Sequence, residues 1–386
     1  MYRFSLSPTL TGLVTEQEYK QLIDGSVDAT VFNDWPWLTT AIEHLPKKHQ
    51  FTAITIRDNQ NNLVGFLALQ ITPESLHGIP ARVARFVQYP LGDRISILLL
   101  PDHLAAWPKL LDYLHQLSGP FWDCMIWNEW TDSQGLVDAS LHWSKRKNSP
   151  VFNRVTSHCP ILSLESITEE EMSASFPSKM RTDLRRRKKK LDKLDSEILH
   201  LRPSVEQVQD LVNEMRNTEA LSWKGDEGVG IFNDPETHDF FNSVSKRLAA
   251  SDQLDLSIIH IDGELASYKY GFYFRNVFYD YSIGYLPQYS KLGLGRVLLN
   301  ELVNSSLRNG YDAVDASRVG SVTQHLLFER TEQVTPHYRF YFFGKGLKGK
   351  LLEFVVTRLK PMLKRLREQY RSRQQDQQNA ALKAEK

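Results

Sequence analysis

The chain reads as an α+β protein of two tandem domains, each a mixed central sheet flanked by helices. Two antiparallel meanders, far apart in the sequence and each preceded by helical periodicity, carry this reading. A strand that passes through a glycine-bearing loop straight into a helix, in the second half only, is the third observation. At 386 residues, 41% apolar and 24% charged, the chain is long for one hydrophobic core and ordinary in composition for a globular protein.

The first meander begins at Phe51-Thr-Ala-Ile-Thr-Ile-Arg57, where apolar and polar residues alternate. It turns over Asp58 to Asn62 and resumes from Leu63 to Ile71. A strand-like run, Cys159 to Leu164, closes the first half. Between the halves lies Lys179 to Lys193, in which nine of fifteen residues are basic. Met180, Leu184, Leu191 and Leu194 fall near one side of a helix there, and the solvated basic face is the simpler reading of Arg185 to Lys190. The second meander runs from Leu256 to Ile261, turns at Asp262-Gly263, and continues as Glu264 to Phe274. Its third strand, Val277 to Ile283, follows a turn at Arg275-Asn276. Asp-Gly suits a tight hairpin because a type I′ turn needs positive φ at both central positions. The expected boundaries are 1–165, a first lobe without its own cofactor; 166–200, a basic helical linker; 201–345, a second, catalytic domain; and 346–386, a basic amphipathic helix that frays from Gln374.

Bulk properties narrow the functional classes. The N-terminus lacks the basic region and apolar run of a signal peptide, and Leu63–Leu69 and Ile95–Leu100 are far too short to cross a bilayer. Cys124 and Cys159 make neither a disulfide framework nor a Cys-x-x-Cys pair, so no metal is expected and a reducing compartment, the cytoplasm, fits. From Lys345 onward there are 12 Lys or Arg against 4 Asp or Glu, which leaves the rest of the chain at about −7. The tail, with Leu351, Phe354, Leu359 and Leu363 beside Lys350, Arg358 and Lys364, suits an anionic membrane, although docking of that apolar face on the second lobe is the plainer expectation.

The stretch richest in chemistry runs Tyr281-Ser-Ile-Gly-Tyr-Leu-Pro-Gln-Tyr-Ser290, then Lys291-Leu-Gly-Leu-Gly-Arg-Val-Leu-Leu-Asn-Glu-Leu-Val303. Leu298, Leu299, Leu302 and Val303 recur at helical spacing, and Gly310 stands where a glycine ends a helix. Gly293 and Gly295 remove side chains where a ligand must approach the backbone. The free amides from Leu292 to Arg296 point at an anion with the helix dipole behind them, and a pyrophosphate is the natural occupant.

These residues resemble the acyl-CoA signature of the GNAT acyltransferase superfamily, Gln/Arg-x-x-Gly-x-Gly/Ala, with Ser290 where Gln or Arg is usual and Lys291 and Arg296 able to supply the charge. A narrower resemblance, to the two-lobed branch of FemABX-like transferases and CelD-like acetyltransferases of polysaccharide gene clusters, covers most of the chain. It rests on the basic helix Arg181 to Lys193, on Glu219-Ala-Leu-Ser-Trp-Lys-Gly225, on Tyr289-Ser290 before the glycines, and on Val314-Asp315-Ala-Ser-Arg-Val-Gly320. Where that branch carries a Tyr-Lys pair after its last glycine, Gln324-His325 stands here. The resemblance implies two tandem GNAT-like domains with one acyl-donor site, in the second, binding acyl-CoA through Ser290, Lys291, Leu292, Gly293, Leu294, Gly295 and Arg296.

The implied reaction is N-acylation, by acetyl-CoA or a relative, of an amine such as an amino sugar or nucleotide sugar in surface-polysaccharide synthesis. A neutral amine needs a proton acceptor, for which Asp280, Glu219 and His325 are the candidates in that order. Backbone amides of Tyr281 to Tyr285 are the expected oxyanion donors, and Tyr289, then Tyr281, the expected acid for the leaving thiolate. Trp223, Lys224, Asp315 and Arg318 are the expected acceptor contacts. A FemABX-like transferase using aminoacyl-tRNA is the second reading, and a non-catalytic basic scaffold on membrane or nucleic acid the third. The retained glycines favour CoA over tRNA, so nucleic acid is not the expected partner.

Overall fold

Alternating strand patterns and turn residues that tolerate positive φ set the frame of the molecule, described here for residues 1–319 and 325–369 from a computed structural model. Gly320, Gln324 and the expected frayed end from Gln374 lie outside the described residues. The first lobe contains β1 (Arg3–Ser7), α1 (Glu16–Gly25), α2 (Trp35–Glu43), β2 (Gln50–Arg57), β3 (Leu63–Leu76), β4 (Ile79–Phe86) and β5 (Leu98–Leu99). It continues with α3 (Trp107–Leu117), β6 (Cys124–Trp130), α4 (Leu136–Lys147) and β7 (Val151–Ser163). Helices α5 (Glu169–Ser175) and α6 (Ser178–Leu191) lead into β8 (Ser196–Leu201), α7 (Val205–Ala220), α8 (Trp223–Glu227) and α9 (Pro235–Ala250). The second meander is β9 (Leu254–Ile261), β10 (Glu264–Phe274) and β11 (Val277–Tyr285). After it come α10 (Leu294–Arg308), β12 (Ala313–Asp315), β13 (Val334–Phe343) and α11 (Leu347–Phe354).

Both tight turns of the second meander have the expected chemistry. Asp262 and Gly263 sit at φ 52° and 79°, and Arg275 and Asn276 at φ 50° and 59°, so each two-residue loop carries positive φ at both centres. Gly310, at φ 70°, follows α10 as a terminating glycine.

The strands join into a single mixed sheet in the order β1-β2-β3-β4-β6-β13-β7-β12-β11-β10-β9-β8, with β5 beside β3. Pairing is parallel for β4 with β6 and for β11 with β12, and antiparallel elsewhere. Strand β13, expected with the second lobe, lies between β6 and β7 of the first. Strand β7 is longer than the Cys159–Leu164 run foretold: its Val151–Pro160 stretch pairs with β13 and its Ile161–Ser163 end with β12. It therefore splices the two lobes.

The lobes also share a core. Phe32 and Trp37 of the first lobe pack edge-on against Phe272 of the second, with ring centroids 5.9 and 5.4 Å apart. Helix α11 docks on the first lobe, not the second. Its Leu352, with Val356 beyond, joins Val83, Cys124, Ile126 and Phe343, and a Cβ on Gly349 would stand 2.1 Å from the Gly344 carbonyl oxygen. Only a glycine lets those backbones touch.

Candidate active site

Among the described residues, strands β11 and β12 pair over three positions, Val277–Tyr279 against Ala313–Asp315, after which β11 runs on to Tyr285 with no further strand partner on that side. A bulge lies at the parting: Ser282 faces Tyr270 and Asp280 faces Gly271, so Tyr281 is the extra residue. Bulges re-aim backbone groups beside functional sites. The amides from Tyr281 to Tyr285, expected as oxyanion donors, thus border an open fork.

The glycine loop lies just past that strand. Gly293 is left-handed (φ 66°, ψ 45°) and begins α10, whose first amides, those of Leu294 and Gly295, have no carbonyl within the helix to bond. Leu294 is buried with Val297, Leu298 and Ile259 and fixes the direction of the helix. Across the loop lies the Arg187 guanidinium of α6. Its Nη1 donates to the Leu292 carbonyl at 2.9 Å and its Nε to Asp183 at 2.6 Å. A Cβ on Gly293 would stand 1.8 Å from that Nη1, so this glycine answers both to backbone conformation and to a close approach. Arg185, Arg186 and Lys188 to Lys190 are solvated as expected, but Arg187 is half-buried against the loop.

Ser290 and Lys291 are exposed on the turn before Gly293. Arg296 pairs with Glu329 at 2.5 Å. A cavity of about 860 Å³ opens between α6, the start of α10 and the 326–330 segment, with Lys179, Arg186, Arg187, Arg296 and Arg330 on its wall against Asp183 and Glu329. Arg330 lies over the Phe176 ring at 4.7 Å and makes no salt bridge with a described residue; burial pulls its guanidinium down to about 10. The Glu329 carboxylate acts on it from nearby without an ion pair, and a desolvated cation so placed suits an anionic ligand.

The three expected bases are engaged otherwise. Asp280 is buried in an ion pair with Lys269, and His325 Nε2 stands 3.4 Å from its Oδ2. Burial alone would raise this carboxyl, but the Lys269 ammonium and His325 overcome it and hold it at about 2, too weak a base to deprotonate an amine efficiently. The His325 ring accepts the Leu327 amide at Nδ1, 3.1 Å away, so both nitrogens are occupied and the side chain caps a short turn at Leu326–Glu329. Glu219 is fully buried and accepts from Lys224 (3.2 Å), Tyr268 (2.8 Å) and the Phe232 amide (2.8 Å). Lys224 also donates to Ser282 of β11 at 2.9 Å, which ties α8 across the sheet, and burial lowers its ammonium pKa. It anchors rather than reaches for an acceptor. Trp223, beside it, is exposed.

Tyr281 donates its hydroxyl to the Leu91 carbonyl of the first lobe at 2.6 Å, and burial pushes its pKa up, which suits packing better than proton delivery. Tyr289 is partly buried and packs against the apolar cluster that holds Leu294 and Val297. Asp315 pairs with Arg94 of the first lobe at 2.5 Å and accepts the Ser317 amide at 2.8 Å; both charged groups are buried. It clasps the lobes instead of facing an acceptor.

Around that clasp lie charged residues which the sequence did not single out. Asp93 precedes Arg94 in the segment that Tyr281 grips, and burial, with Glu129 and Asp315 nearby, lifts its carboxyl to about 7 against the pull of Arg318 and Arg94. Glu129, in a left-handed conformation at φ 52°, bonds His337 Nδ1 at 2.9 Å and stands 3.8 Å from the Arg318 guanidinium. Arg318, an expected acceptor contact, is the half-exposed member of the group. The Cys159 thiol lies 3.6 Å from the same His337 nitrogen, but burial raises its pKa and it is no nucleophile. The fork of the second lobe and the carboxylates of the first therefore meet at one place.

Residues 178–322 match the family described as "Acetyltransferase (GNAT) domain", a span from α6 past the fork. That stretch of the second half is similar to GNAT acetyltransferase domains. The match begins at α6, so the helix that touches the Gly293 loop lies within the matched span. The fold is similar to that of FemX, whose crystal structure superposes at TM-score 0.60 with 10% identity over 88% of this chain and 98% of that one. A conserved protein of unknown function from Bacteroides thetaiotaomicron superposes at TM-score 0.52, with 9% identity over 86% and 98%. No curated protein matches the chain. Among the described residues no helix is long and apolar enough to span a membrane, and no group of His, Cys, Asp or Glu is placed to hold a metal ion.

Proposed function

We propose that the GNAT domain transfers an acyl group from a CoA thioester to an amine held between the lobes. The observation that carries this reading is the Gly293 loop at the mouth of the β11–β12 fork, with free helix amides, Lys291 and Arg187 around it. A diphosphate requires amide donors and cations, and both stand there, with the Arg187 guanidinium in the space that a Cβ on Gly293 would take. The adjoining basic cavity has room for the rest of a nucleotide, with Arg330 as a cation in want of an anion. A thioester supplies an activated carbonyl; the chain supplies position and proton transfer.

The amine nitrogen bonds to the carbonyl carbon as the carbon–sulfur bond breaks. One proton must leave the nitrogen and one must reach the sulfur. Asp93, whose carboxyl titrates at about 7 at the inter-lobe clasp, is the acceptor best matched to neutral pH, in place of Asp280. Tyr289, in the turn before Gly293, would return a proton to the thiolate. Arg318 and Glu129 would orient the acceptor, for which an amino sugar or nucleotide sugar remains the proposed class.

Calorimetry with CoA and acetyl-CoA tests the donor. A 1:1 isotherm supports it. Absence of heat with either, together with salt-dependent binding of tRNA to the exposed face of α6, would replace it with an aminoacyl-tRNA donor.

A further inference from the structure

Helix α11 continues through a π-turn at Val355–Leu359 and on over 360–369. Pro361 explains the turn: it offers no N–H to the carbonyl four residues back and its ring crowds that carbonyl, so the coil widens there. Leu352 and Val356 face the first lobe. Along the remainder Leu347 is 87% exposed, Leu351 49%, Phe354 50%, Met362 52%, Leu363 42% and Leu366 54%.

At about 100° per residue, Leu347, Leu351 and Phe354 fall within about 60° of one another, and Leu352 well to one side. A regular helix would carry 362, 363 and 366 round the flank. The π-turn takes in one extra residue, about 100° of rotation, and returns all three to the first stripe. The six side chains therefore form one row of about six helical turns, directed away from the face that docks. Over 347–369 there are seven Lys or Arg against two Glu. By the same count Lys348, Lys350 and Arg367 flank the row, Arg365 and Glu353 lie together further round one side, and Glu368 lies opposite.

We infer that this row is a peripheral membrane anchor, which lies in the headgroup region of an anionic bilayer with its apolar side chains in the acyl boundary and its cations among lipid phosphates. An exposed apolar stripe between two basic flanks has that complementarity. A second copy of the same helix does not, because flanking cations would face cations. The anchor sits on the first lobe, held by Gly349 against Gly344 and by Lys360 Nζ at 3.1 Å from His77 Nε2. This inference does not depend on the acyl donor.

Co-sedimentation of the full chain tests it, with vesicles of phosphatidylcholine containing about 30 mol% phosphatidylglycerol and with phosphatidylcholine alone. Binding to the anionic vesicles at low salt, weakened at high salt and by pure phosphatidylcholine, is expected. Leu351→Ser, Phe354→Ser and Leu366→Ser should each lower partitioning about tenfold. All three sites are exposed, so the melting temperature should hold. The inference is overturned if the anionic vesicles leave the chain in the supernatant, if the combined variant sediments as well as the parent, or if the substitutions instead convert a dimer to a monomer in ultracentrifugation.

Discussion

Replacing Gly293 by alanine separates two demands that meet on one atom. Its left-handed backbone costs any L-residue about 1–2 kcal/mol. The new methyl would also occupy space 1.8 Å from Arg187 Nη1, and the guanidinium must leave the Leu292 carbonyl. That half-buried bond is worth about 0.5–1.5 kcal/mol. Together Gly293→Ala should cost about 2–3 kcal/mol and lower the melting temperature by roughly 5 °C. CoA affinity should fall at least tenfold, since the methyl and the displaced arginine both crowd the loop. The decisive assay is a double-mutant cycle read by calorimetric unfolding. With Arg187→Ala already present only the backbone penalty remains, so Gly293→Ala should then cost about 1–2 kcal/mol. Equal costs in both backgrounds, with CoA binding intact, would refute the close-approach argument and with it the placement of α6 over the loop.

The remaining predictions concern charges and pH. Lys269→Met should destabilise by about 3–5 kcal/mol, because it strands buried Asp280, and adding Asp280→Asn should recover much of that in denaturant titrations. Asp93 and Asp255 both titrate at about 7 in the folded chain, raised by burial, so the folded form holds these protons more tightly and stability falls as pH rises from about 4 to about 7. Asp280, held at about 2, has the opposite sign and stabilises above its ordinary 3.8, with loss as pH falls toward 2. Through these groups the melting temperature should therefore peak near pH 4 and fall toward neutral, with Asp93→Asn flattening the neutral limb; a rise from pH 4 to 7 would contradict it. With Asp93 as base, kcat/KM should climb with pH to a plateau past about 7, and Asp93→Asn should abolish that limb along with most activity. Arg330→Gln should weaken CoA at least tenfold in the same calorimetry, through loss of a charge-assisted contact.

Local chemistry made part of this legible in advance. Asp262-Gly263 and Arg275-Asn276 announce turns because their backbone needs are local, and from those turns the register of β9, β10 and β11 follows. Gly293 announces itself for the same reason. The same register held an unused signal: folding the hairpin about Arg275-Asn276 sets Asp280 opposite Gly271, two residues from Lys269, so the ion pair that disqualifies Asp280 as base was within reach. Asp93 and Arg94 gave no signal, since they lie in an irregular stretch and acquire meaning only against Asp315, over two hundred residues later. Arg187 looked like five neighbouring cations. Only the packing of α6 on α10 distinguishes it.

The insertion of β13 constrains how the protein is made. Strands β6 and β7 are separated by a slot that a segment near residue 340 fills, so on the ribosome the half of the sheet synthesised first must wait, two edges bare, until that segment has emerged. A nascent chain in that condition invites pairing with strangers, and its maturation should lean on chaperones more heavily than its tidy lobes suggest.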